Sequence, residues 1–164
     1  MRQHQHSSRH SSRLSGGGHY LYLAIMLGLS FLAMYVLMYA MVDRFDNVFM
    51  SLNQVYMAAL MTAPMALIEI VVMGAMYPDK RLNLLIGSAG VIVLVASWLA
   101  IRGQVAIGDT QFLRSMIPHH GGAVLMCAEA PVRDAEIRQL CQSISASQQA
   151  EIAQMKAMLA RLER

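Results

Sequence analysis

Residues Tyr20–Val42 read YLYLAIMLGLSFLAMYVLMYAMV, 23 positions without a charge. A helix needs roughly 20 apolar residues to cross a bilayer, and in hydrocarbon a helix satisfies its own backbone hydrogen bonds. Two more runs repeat the pattern. Val55–Tyr77 carries one charge, Glu69, and Leu82–Ile101 carries none. The chain is therefore read as all-α, with three transmembrane helices forming a membrane anchor over residues 20–101. The first run exceeds the roughly 7–15 apolar residues of a cleaved signal, and no small-x-small site precedes Asp43, so it is expected to remain as an anchor. Charged residues make up 14% of the 164, against roughly 25% in soluble domains. That deficit excludes an ordinary water-soluble globule, and the apolar excess excludes a disordered chain.

Basic residues set the expected orientation. The tail holds Arg2, Arg9 and Arg13, and the second short loop Lys80 and Arg81; the first loop holds only Arg44, offset by Asp43 and Asp46. The positive-inside rule then places the N-terminus in the cytoplasm and residues 102–164 outside, in the periplasm if the membrane is a bacterial inner membrane. Tyr20, Tyr22 and Tyr77 fall at one interface, and Tyr35, Tyr39 and Trp98 toward the other. Residues 1–19, rich in Ser, His, Arg and Gly, have no apolar periodicity and are expected to be a disordered, solvated leader. The net charge of +3 is thus topological. No aromatic-interleaved basic patch points to nucleic acid.

Methionine is abundant, 15 of 164, and its thioether serves as filler or as ligand. In the first span Met26, Met34, Met38 and Met41 share one face; in the second, Met57, Met61, Met65, Met73 and Met76 do, with Glu69 among them. A carboxyl at membrane depth is a functional hypothesis by default. Its plain alternative is a helix interface with Glu69 protonated or hydrogen-bonded. Pro64 is expected to kink this span, and the small residues Gly87–Gly90 of the third to allow close packing.

The external segment contains DTQFLRSMIPHHGGAVLMCAEA, residues 109–130, with Asp109 as the expected N-cap. On a helix, Phe112, Met116, His119, His120, Ala123, Met126 and Cys127 share an apolar face centred on Met116. A short turn leads to a second amphipathic helix with Ile137, Leu140, Cys141, Ile144, Ile152, Met155, Met158 and Leu159 on its apolar face and Gln148 and Glu151 inside that arc. The two are expected to form an antiparallel hairpin. The expected register pairs Cys127 with Cys141, His120 with Gln148, and Met116 with Ile152, beside Glu151. Polar groups in an apolar seam need partners, so this one calls for a metal ion or a hydrogen-bond network. Pro118 and Gly121–Gly122 break helix rules around the histidines, as functional sites do. Cys127 and Cys141 either bridge the helices or serve as small apolar residues.

These residues, FLRSMIPHHGGAVLMCAEA and EIRQLCQSISASQQAEIAQMKAML, resemble domain-of-unknown-function family 305. The likeness lies in Met-Ile-x-His-His, Ala and Met, followed by Gln-x-Glu-Ile-x-x-Met. It covers about a third of the chain and leaves the anchor outside. The family implies a ferritin-type helical bundle, exported or membrane-anchored, with periplasmic copper binding and resistance. It carries over Met116, His119, His120 and Met126 as ligands, followed by Gln148, Glu151 and Met155. This chain differs in its Gly121-Gly122 and in having one hairpin.

Chemistry points the same way, since thioethers favour Cu(I) and imidazole suits copper or zinc. A di-iron site would need Glu-x-x-His pairs from several helices, and none is present. A 63-residue hairpin has little core of its own, so two copies are expected to complete a four-helix bundle. The leading expectation is a non-enzymatic, membrane-anchored copper chaperone or buffer, with lipid, a second copy and a copper-handling protein as partners. The alternatives are a metal-free interaction subunit of a membrane complex and a small metal-dependent oxidase.

Overall fold

The computed structural model describes residues 8–164, with side chains from Gly18 onward. Residues 1–7 of the expected leader, including His4 and His6, lie outside the described residues. Five α-helices follow one another: α1 Ser8–Leu37, α2 Leu52–Val72, α3 Lys80–Gly103, α4 Asp109–Glu129 and α5 Ala135–Leu162. Short 3-10 turns occupy Met38–Met41, Phe45–Asn47 and Gly74–Met76. No strand occurs among the described residues. The all-α expectation holds, and three helical stretches, Gly18–Met41, Leu52–Val72 and Lys80–Gly103, are long and apolar enough to cross a membrane. α1 begins at Ser8, earlier than the tail's composition suggested. Once a helix is nucleated, each added residue costs little.

By internal packing the chain forms two units. The first joins the described residues up to Met34 with Tyr56–Arg102 and holds most of the apolar helical stretch. α2 and α3 meet at Gly90, where a Cβ would stand 3.3 Å from Leu67 and 3.5 Å from the Ala63 carbonyl oxygen. The expected small-residue patch thus acts through Gly90; Gly87 faces open space. Thr62 donates to the Ala58 carbonyl (2.8 Å) and to Met34 Sδ (3.6 Å), tying α2 to α1. A polar chain closes one end: Tyr20 donates to Asn83 (2.7 Å), and Asn83 donates to the Tyr77 carbonyl (2.9 Å). The Tyr77 hydroxyl donates to Glu69 (3.1 Å). Glu69 is therefore partnered by a tyrosine. Met57, Met61, Met73 and Met76 stay exposed, available to lipid or to another helix. Pro64 sits inside a continuous α2.

The second unit joins Tyr35–Val55 with Gly103–Arg164. The first loop thus belongs with the C-terminal helices. Gln111 accepts from the Leu52 backbone N–H (2.9 Å) at the start of α2, Asn53 donates to Ser115 (3.3 Å), and Lys156 pairs with Asp46 at 2.7 Å. Lys156 holds the exposed Asp46 carboxyl below its usual range. The double glycine finds its reason here. A Cβ on Gly121 would lie 2.5 Å from Asp43 Oδ1, and one on Gly122 would lie 3.3 Å from the Met41 carbonyl oxygen. Residues 41–43 thus cross α4 where it has no side chains. This close approach accounts for Gly121–Gly122 without invoking the histidines.

α4 runs unbroken through Pro118. Its N-cap is Gly108, and Asp109 is the first helical residue, placing a carboxylate in the first turn where the helix dipole favours one. α5 is capped by Asp134, which accepts from the Glu136 and Ile137 N–H groups (2.9 and 3.0 Å). Such a cap contributes about 1 kcal/mol.

Candidate metal centre

α4 and α5 pack along each other through Leu113, Ile117 and Val124 on one side and Ile152 and Leu159 on the other, with Phe49 and Met155 against them. Leu113, Ile117, His120 and Val124 are spaced four, three and four residues apart, one face of a helix. The seam is centred on Ile117, which is fully buried, one residue past the expected Met116. That rotation turns His120 inward and leaves His119 exposed.

His120 is 8% exposed and both its ring nitrogens face acceptors. The Met116 carbonyl oxygen lies 2.9 Å from Nδ1 and Glu151 Oε2 lies 2.8 Å from Nε2. A carbonyl only accepts, so Nδ1 carries the hydrogen. A neutral imidazole has one N–H, which leaves the Nε2 lone pair against a carboxylate oxygen. That contact is attractive only with a cation between the two atoms, either a proton or a metal ion. A backbone carbonyl holding one ring nitrogen while the other faces outward is the usual setting of a metal-ligating histidine. Two ligands about 2.0–2.2 Å from one tetrahedral ion stand about 3.4 Å apart, so the 2.8 Å contact is a hydrogen-bond distance that a metal ion would open by about 0.6 Å. Glu151 is half-exposed. Its carboxyl is held below the usual range by the Ser147 hydroxyl, which donates to Oε1 at 2.7 Å, and then by His120.

The pairing register differs from the expected one. Near the connecting turn Cys127 meets Cys141 as anticipated, but His120 meets Glu151 instead of Gln148, and Arg114 pairs with Glu163 at 2.7 Å farther along. Met116 lies one turn before His120 on α4 and Met155 one turn after Glu151 on α5, each about 6 Å along its helix from the contact. Met116 and Met155 are both half-buried. Of the seven candidate ligands, Met116, His120, Glu151 and Met155 thus gather along one stretch, with half-buried Gln148 one turn from Glu151. His119 and Met126 lie on an outer stripe of α4 and are exposed. They are separated by two turns, about 10.5 Å, too far to share an ion within one chain. Among the described residues no cluster of three or more His, Cys, Asp and Glu forms a metal site. Any further donor must come from thioether, amide, water or a second chain.

Sequence reasoning missed Ser147, although its i to i+4 spacing from Glu151 was readable. It also missed residues 41–49, which hold the back of α4 through contacts distant in sequence.

An all-α chain with three potential membrane spans and a C-terminal helix pair built around a His–Glu contact is the class that fold and site define. Residues 100–164 match the family described as Domain of unknown function (DUF305), and the chain belongs to that family. It is 33% identical over 140 residues to uncharacterized protein L153 of Acanthamoeba polyphaga mimivirus, a match covering 84% of this chain and 90% of that protein. The likeness therefore extends far beyond the C-terminal helices. No solved structure matches the chain.

Proposed function

We propose that this is a membrane-anchored metal-binding protein that holds copper as cargo, a Cu(I) chaperone or buffer in copper homeostasis, with zinc as the competing ion. The observation that carries the reading is His120, whose Nε2 faces the Glu151 carboxylate with Nδ1 already committed to the Met116 carbonyl. Met116 and Met155 add soft sulfur donors, which favour Cu(I) over harder ions. In this reading the anchor lies in a bacterial inner membrane, with the N-terminus cytoplasmic and the helix pair periplasmic, because five basic residues lie on one side against one on the other. The test is anaerobic Cu(I) titration of the detergent-solubilised chain against a competing chelator, repeated with Cu(II) and Zn(II). Wild type is expected to bind stoichiometrically and the His119→Ala/His120→Ala double variant to lose binding; identical curves would remove the proposal.

Two such hairpins complete a four-helix bundle in this reading. Phe112, Met126, Ile137 and Leu140 are each about half-exposed, between 48% and 58%, in the single chain. A partner covering them would also bring a second His119 and Met126 to the outer stripe. Crosslinking in detergent is expected to trap dimers; monomers alone across a concentration series would remove the bundle.

A further inference from the structure

Cys127 and Cys141 stand apart from the His120–Glu151 contact. Cys127 is two turns, about 10.5 Å, along α4 from His120. The two cysteines line the same open groove of about 460 Å³, with Ala130, Val132, Arg138, Gln142 and Ser145. Both are free thiols of intermediate burial, so solvent and a small reagent reach them. The neighbouring Cys127 thiol, together with partial burial, raises the Cys141 pKa. A disulfide joins Cα atoms about 4.4–6.8 Å apart, a separation that two packed helices lining one groove can supply. A metal alternative is poorly served, since no third His, Cys, Asp or Glu joins them among the described residues. Arg138 on the same groove supplies a positive charge, which attracts an anionic reagent.

We propose that Cys127 and Cys141 are a reversible dithiol site that reacts with small anionic disulfides and closes to an intrachain disulfide. One cysteine thiolate attacks a sulfur of the reagent RS–SR, and RS⁻ leaves and takes up a proton. The second cysteine, its proton lost to solvent, attacks the cysteine sulfur of the mixed disulfide, and the second RS⁻ leaves. Two protein thiols are oxidised to one disulfide, and one RS–SR is reduced to two RSH. A small dithiol reverses the step. The closed form joins α4 to α5 across the 130–134 connection, a loop of about 15 residues whose closure favours the folded state on the order of 100-fold. The step does not depend on bound metal.

The experiment uses the full chain in detergent with oxidised glutathione as the anionic disulfide, followed by acid quench, maleimide labelling and intact-mass measurement. The expected product has lost both reactive thiols, is lighter by two hydrogens, stays monomeric on a non-reducing gel and returns to the dithiol with dithiothreitol. Cys127→Ser and Cys141→Ser are each expected to stop at one glutathione adduct. Arg138→Glu is expected to slow the reaction several-fold with glutathione disulfide and not with an uncharged disulfide. Two labelled thiols after exposure, two glutathione adducts on the wild type, or bridges only between chains would each overturn the proposal.

Discussion

Ile117→Ala is expected to destabilise the second unit by about 2–5 kcal/mol, the range for truncating a buried isoleucine or leucine to alanine. Ile117 is the largest side chain with no exposure at all, and it sits at the centre of the Leu113, Val124, Ile152 and Leu159 cluster. Removing three carbons there leaves a cavity between two helices that have few other buried contacts. Collapse into it is opposed by the close crossing of residues 41–43 over Gly121 and Gly122. Chemical denaturation in detergent, followed by helical circular dichroism, measures the loss. Leu162→Ala, at an exposed position near the end of α5, is expected to stay within about 0.5 kcal/mol of wild type. Equal effects for the two variants would mean that the seam is not centred on Ile117.

The second large effect separates two adjacent histidines. His120→Ala is expected to weaken copper binding on the order of 100-fold or more, since losing an outer-shell partner alone costs about 10–100-fold. His119→Ala is expected to cost less than about tenfold by the same scale, because His119 is exposed and its ring centroid stands 6.2 Å from that of His120. Glu151→Gln tests the same centre from the other helix, keeping shape while removing the charge that draws a cation to Nε2. Binding curves for the three variants, read beside their thermal melts, distinguish ligand loss from unfolding. If His119→Ala abolished binding and His120→Ala did not, the centre would belong to the outer stripe of α4.

The sequence made the three long apolar helices legible because runs of about 20 residues with at most one charge are long and apolar enough to cross a bilayer. It made the C-terminal helix pair legible for a related reason: two amphipathic segments on either side of a short turn bury their apolar faces together. The order of the ligand candidates along that pair was also readable. Which of them meet was not. One residue of rotation on α4 moves a side chain about 100° around the axis, enough to exchange Met116 for Ile117 at the centre and to turn His119 off the shared face while His120 stays on it. Composition cannot fix that angle, because Met and Ile are both acceptable core residues.

Pro118 and Gly121–Gly122 illustrate the same limit. Read alone, they break helix rules beside the histidines and suggest a functional distortion. In the fold α4 stays continuous, and the glycines admit residues 41–43, which lie nearly 80 positions away in the chain. A contact of that sequence separation leaves no local period to detect.

The sequence by itself determined that this protein is helical, that three helices suit a membrane, and that His, Met and Glu side chains lie on two facing helices. Those properties follow from apolar periodicity and the cost of burying charge, which act along the chain. Only the tertiary structure decided that His120 meets Glu151, that His119 and Met126 face outward, and that the first loop braces α4. Each of those depends on how segments distant in sequence pack, and packing selects rotation and register by excluding overlap.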